Sequence, residues 1–174
     1  TGGAVAAILM SAFGTFGPSQ LERIAALEAN RKSAAGLTCQ GKFDRAEKQL
    51  QSTIVKSQRQ LGVVNQETWK CQQALGVVYL NQFKFHEAEE RFRAALKLQN
   101  AAPSPDKANA SEIARSTYLL AFALSRQDPT KLAEAKALSA QAYQEARTAL
   151  GPDYPTTLLY GQLSQRLQHG TDYR

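Results

Sequence analysis

The segment Gly41-Lys42-Phe43-Asp44-Arg45-Ala46-Glu47 returns as Phe83-Lys84-Phe85-His86-Glu87-Ala88-Glu89, an offset of 42 residues. A weaker third copy surrounds Leu132-Ala133-Glu134-Ala135-Lys136. A unit of this length cannot bury its apolar face alone, so neighbouring copies must stack on one another. The chain of 174 residues has room for about four such units. A stack of this kind works through a surface more than through a catalytic pocket.

Composition decides what is stacked. Alanine, leucine, glutamine, lysine and arginine are abundant, and these are strong helix formers. Proline is scarce and falls between the periodic segments. An all-α fold follows. The net charge of +6 is interspersed with acids, as in Glu87-Ala88-Glu89-Glu90-Arg91-Phe92-Arg93. Solvated helix faces account for such a pattern, with a basic surface that attracts acidic partners as the alternative. No run of like charge marks a nucleic-acid tail.

Two cysteines do not make a disulfide framework. Cys39 aligns with Asn81, so Cys71 lies 10 residues earlier in the next equivalent helix. That is roughly 15 Å along the axis, beyond disulfide reach. Two free thiols fit a reducing compartment.

Breakers and caps divide the chain into an arm (1–18), a repeat domain (19–170) and a short tail (171–174). The arm carries no charged side chain, and Ile8, Leu9, Met10, Phe13 and Phe16 are its candidate docking residues. It is short for a membrane span and lacks the basic start of a signal peptide. Its alternatives are packing on its own repeats, docking into a partner and contact with a membrane. Thr1 is not an initiator methionine, which reads as a processed, truncated or tagged chain.

Within the repeat domain, Ser19 and Glu22 have capping-box spacing. The first helix is expected to reach about Gln40 and the second about Leu61. Asn65 caps a third helix that starts at Glu67 and ends near Asn81. A fourth covers 84–99, and 100–106 reads as a loop. The fifth spans Ser111 to Arg126. Asp128-Pro129 starts the sixth, which reaches Leu150. The last occupies 154–168, with Gly170 as its stop.

The best copy places Leu75, Gly76 and Tyr79 ahead of Ala88, Phe92 and Ala95. Gly76, Ala88 and Ala95 let two antiparallel helices approach closely. Leu75, Tyr79 and Phe92 fill the space between one pair and the next. This pattern resembles the tetratricopeptide repeat, over roughly residues 20–169. The first copy fits with Ser33, Ala34, Leu37 and Ala46. The string Ala149-Leu150-Gly151-Pro152-Asp153-Tyr154-Pro155-Thr156-Thr157-Leu158 is similar to the linker of kinesin-light-chain-type repeats. The resemblance implies a right-handed solenoid of antiparallel helix pairs, about three repeats and a C-terminal capping helix.

Stacking puts the first helix of each pair on a concave face. Aligned copies place Arg31, Lys70, Gln73, Asn81, Arg115, Tyr118, Phe122 and Arg126 there, with Glu28 and Val77. This set suits an extended protein segment carrying acidic residues. A solvated face, or one filled by the arm, is the alternative. A chaperone-tail carboxylate clamp is not expected, because Ala35, Ala74 and Leu119 stand where polar clamp residues belong. The consecutive asparagines frequent in kinesin-light-chain-type first helices are here Gln73 and Ala74.

Catalytic chemistry finds no foothold. His86 and His169 sit in different repeats without metal-ligand spacing. No phosphate-binding glycine loop is present. Glu87, Glu89 and Glu90 open a helix and suit its positive N-terminus. Trp69 beside the Leu61–Glu67 linker is better read as packing than as a binding platform. The chain is therefore expected to be a non-enzymatic protein–protein scaffold or adaptor, without cofactor, metal or nucleic-acid partner. A subunit of a larger, membrane-bound assembly anchored by residues 1–18 is the second reading. A sensor module of a signalling ATPase is the third, by resemblance.

Overall fold

The computed structural model describes residues 18–101 and 107–170. The arm residues Ile8, Leu9, Met10, Phe13 and Phe16 and the tail lie outside the described residues. Seven α-helices follow in order: α1 (Pro18–Cys39), α2 (Phe43–Leu61), α3 (Gln66–Asn81), α4 (Phe85–Ala101), α5 (Lys107–Ser125), α6 (Leu132–Leu150) and α7 (Pro155–His169). A 3₁₀ turn at Pro129–Lys131 precedes α6. Each helix packs chiefly on its chain neighbours, and α1 also meets α3 as α5 meets α7. This is an all-α helical solenoid, with α1, α3, α5 and α7 in one layer and α2, α4 and α6 in the other. No helix among the described residues is long and apolar enough to cross a membrane.

The small-residue logic of the best copy operates inside the α3–α4 pair. Ala88, Phe92 and Ala95 are fully buried. A Cβ added at Gly76 would stand 2.6 Å from the Phe92 ring. Phe92 therefore fills space within its own pair, against Gly76, and not the gap between pairs. Leu75, Tyr79 and Leu50 join one core that runs on through Leu120 and Leu124 to Leu163. Trp69 is buried as packing.

The caps explain most helix ends. Asn65 accepts the Thr68 amide at 2.9 Å, as its spacing predicts. Gly170 closes α7 in the left-handed region. Other ends moved. α1 already contains Pro18 and Ser19, which removes the expected Ser19–Glu22 start. Asn100 and Ala101 remain helical, and α5 begins at Lys107 instead of Ser111. Asp128 caps the 3₁₀ turn through Thr130, and α6 starts only at Leu132. Both cysteines are free, Cys39 exposed and Cys71 buried.

Candidate interaction groove

The inner layer opens onto a concave pocket of about 420 Å³. Helix α1 contributes Arg31, Ala35, Thr38 and Cys39, and α3 contributes Lys70, Gln73, Ala74, Val77 and Asn81. Helix α5 adds Glu112 and Arg115, and Leu50 of α2 reaches in from the outer layer. Six of the residues expected on this face thus share one pocket: Arg31, Lys70, Gln73, Val77, Asn81 and Arg115. Their i, i+3 and i, i+4 spacing keeps them on one side of each helix.

Glu28, Tyr118, Phe122 and Arg126 stand outside it. Tyr118 stacks on Tyr160 of α7, with ring centroids 4.2 Å apart and planes 14° apart. Phe122 packs partly buried against the core. The Arg126 guanidinium lies over Phe85 at 5.9 Å and borders a separate cleft with Gln127, Asp128, Pro129 and Leu132. Leu119 also packs against the core.

Electrostatics modify the expected basic character. The Arg31 Nε donates to buried Glu67 at 3.2 Å, and Glu28 lies 3.9 Å from the same guanidinium. Lys70 stands 3.9 Å from Glu67 and 5.6 Å from the centre of the Trp69 ring. Arg115 is exposed and lies 3.8 Å from Glu112. Arg31 is therefore largely neutralised from beneath, whereas Lys70 and Arg115 supply the groove's cationic reach. Gln73 is buried and donates to Ser116 at 2.9 Å, tying α3 to α5. Asn81 donates to the Val77 carbonyl at 2.8 Å. Ala35, Ala74 and Val77 leave an apolar stretch between these polar groups. Glu112, Thr38, Cys39 and Leu50 were missed in sequence. Glu112 was within reach of the same logic, one turn before Arg115.

A second charged cluster lies behind the groove. Glu89 is buried and accepts from Arg93 at 3.0 Å, Gln127 at 2.9 Å and Lys131. Arg93 also bridges to Glu134 at 2.9 Å. Burial alone would raise the Glu89 carboxyl. The hydrogen bonds from Lys131, Gln127 and Arg93 overcome it and hold the group down at about 2. Glu89 is thus a clasp between α4 and the segment leading into α6, beyond the helix N-terminal role its position announces. Among the described residues no three His, Cys, Asp or Glu side chains converge to hold a metal. Burial, then nearby Glu67, push the Cys71 thiol up to about 12.

A tetratricopeptide repeat family model matches residues 70–102, which cover most of α3 and α4. No curated protein matches the chain. The family match supports a tetratricopeptide repeat protein and with it a protein–protein interaction role. It does not extend to the kinesin-light-chain variant.

Proposed function

We propose that the protein is a non-catalytic scaffold that holds an extended acidic segment of a partner protein along its concave groove. The observation that carries this reading is the convergence of α1, α3 and α5 on one pocket of about 420 Å³. Exposed Arg115 and half-buried Lys70 offer charge-assisted hydrogen bonds to carboxylates. Ala35, Ala74 and Val77 give the segment's side chains a dry surface between the charges. Three stacked pairs form a short solenoid, so a bound segment would also brace it.

The test reverses charge at two groove cations that are not themselves buried. A Lys70→Glu, Arg115→Glu variant should retain its helical circular dichroism spectrum. It should fail to retain proteins that the wild type captures from an extract of its source cells. Charges at this exposure act chiefly on the rate of encounter and its salt dependence, so the loss should also be steeper at low salt. Capture unchanged by the double reversal would remove the groove from consideration.

A further inference from the structure

Helix α2 differs in charge from the other outer helices. In α4 three acids meet three bases, and in α6 two meet two. Helix α2 sets Arg45, Lys48, Lys56 and Arg59 against Asp44 and Glu47. Both acids lie near its start, and Glu47 accepts from Tyr79 at 3.0 Å and from Gln51 at 3.1 Å. All four bases are exposed, and among the described residues none makes an ion pair or a side-chain hydrogen bond. Helical spacing gathers them, with Ser52 and Val55, into one sector of about 100°. From Arg45 to Arg59 this stripe is roughly 21 Å long. The buried side of the helix, with Ala46, Leu50, Thr53, Ile54 and Ser57, points the other way. No run of like charge announces the stripe, because its bases are spaced by the helical turn. The arrangement weakens the helix. Arg45 and Lys48, and again Lys56 and Arg59, are like charges three residues apart on one face. Arg59 in the last turn suits the helix dipole, but Arg45 in the first turn opposes it. A local rule broken without a compensating contact marks a surface kept for a partner.

We propose that the α2 stripe docks the protein on an anionic lipid bilayer. Charge requires a negative partner, and shape narrows its class. The stripe is the crest of one helix in the outer layer, a form that meets a flat surface and cannot wrap an extended segment. No aromatic side chain stands on it to stack a nucleic-acid base. Val55 within the stripe, and Val63 and Val64 just beyond the end of α2, are exposed apolar side chains. A phosphate backbone or an acidic peptide has no use for them. At a bilayer they enter the boundary between headgroups and acyl chains. Each Lys or Arg held at an anionic surface raises partitioning about fivefold, the equivalent of about 1 kcal/mol. Four of them give a reversible, salt-sensitive attachment. The stripe faces away from the concave groove, so vesicle binding and partner capture fail independently.

The experiment is flotation of the full chain with vesicles of phosphatidylcholine alone, or of equimolar phosphatidylcholine and phosphatidylserine. The protein should float with the mixed vesicles and not with the neutral ones, and added salt should release it. A Lys48→Gln, Lys56→Gln, Arg59→Gln variant removes three stripe charges from exposed helical positions. Its partitioning onto the mixed vesicles should fall roughly a hundredfold. It should unfold in urea no earlier than the wild type, because like-charge pairs are relieved. A Lys136→Gln, Arg147→Gln, Arg166→Gln variant removes the same charge from α6 and α7, at the far end of the stack, and should float as the wild type does. If the stripe variant does not fold, Lys56→Gln alone carries the test, with a loss of about fivefold. Equal losses from the two triple variants would mean that net charge, not the stripe, attracts the vesicle, and would overturn the proposal. A wild type that stays off the mixed vesicles overturns it as well. Binding of a DNA duplex or of polyglutamate through the same three residues, without flotation, would assign the stripe to that polyanion instead.

Discussion

Two threonines at equivalent positions have opposite value to the fold. Thr68 and Thr157 each follow a Leu-Gly linker by the same spacing, and both are fully buried. The Thr68 hydroxyl sits in a small polar hub. Ser57 lies 2.9 Å away, and the Asn65 amide donates to it at 2.8 Å. The register replaces those partners with Ala146 and Tyr154 around Thr157. The Thr157 hydroxyl then has no hydrogen-bond partner among the described residues. An orphaned buried hydroxyl costs about 1–3 kcal/mol, and an apolar isostere removes that cost. Thr157→Val is therefore expected to raise the unfolding free energy measured in urea by about 1 kcal/mol. Thr68→Val should lower it by about 1–2 kcal/mol, because Asn65 and Ser57 lose a shared partner. Shifts of the same sign and size at the two positions would show that the two linkers are packed alike. The thiols contrast in a similar way. Repeat register argued against a Cys39–Cys71 bridge, and the structure leaves one thiol exposed and the other buried.

Turns show the repeat most clearly at the level of elements. Gly41 ends α1 with φ 72°, and Phe83 ends α3 with φ 59°. The hydrogen bonds match: Lys42 donates to Leu37 and Gly41 to Thr38, as Lys84 donates to Tyr79 and Phe83 to Leu80. Both are Schellman stops, which favour glycine in the left-handed position. A side chain there costs roughly 1–2 kcal/mol, and glycine's extra unfolded-state freedom returns roughly 0.5–1 kcal/mol of the gain. Phe83 is 76% exposed, so little packing is forfeited by removing its ring. Phe83→Gly should stabilise by about 0.5–1 kcal/mol in thermal or urea unfolding, and Gly41→Ala should destabilise by a similar amount. A destabilised Phe83→Gly would mean that its edge contact with Phe85 outweighs the backbone strain. The helix pairs were legible because Gly76, Ala88 and Ala95 sit at spacings that only close packing explains. The start of α5 was not, because Ala108-Asn109-Ala110 carries no breaker and the helix simply runs back through it. Half the groove was legible from helical spacing. Tyr118 escaped because its partner, Tyr160, is 42 residues away in α7, where no local pattern announces a stack.

In a solenoid each repeat touches only its neighbours, so whole-molecule cooperativity rests on the interfaces between successive pairs. The Glu89 clasp spans one of these, joining α4 to Gln127, Lys131 and, through Arg93, Glu134. Its carboxyl is held at about 2, against 4.5 for an unperturbed glutamate. The folded state therefore binds the Glu89 proton less readily than the unfolded chain. The resulting stability is fully present above about pH 4.5 and disappears as pH falls from there through about 2. The full linkage corresponds to roughly 3 kcal/mol. Glu89→Gln keeps the shape and an acceptor but cannot titrate. Wild type should exceed this variant by roughly 3 kcal/mol at pH 7, and the gap should narrow to roughly 1–2 kcal/mol at pH 3. Salt should reduce it only weakly, because the carboxylate is shielded from solvent. Urea unfolding of both proteins across this pH range measures the gap directly. A gap that stays constant from pH 6 to 3 would show that the Glu89 carboxyl is not held down by its partners, and that the clasp contributes nothing through its charge.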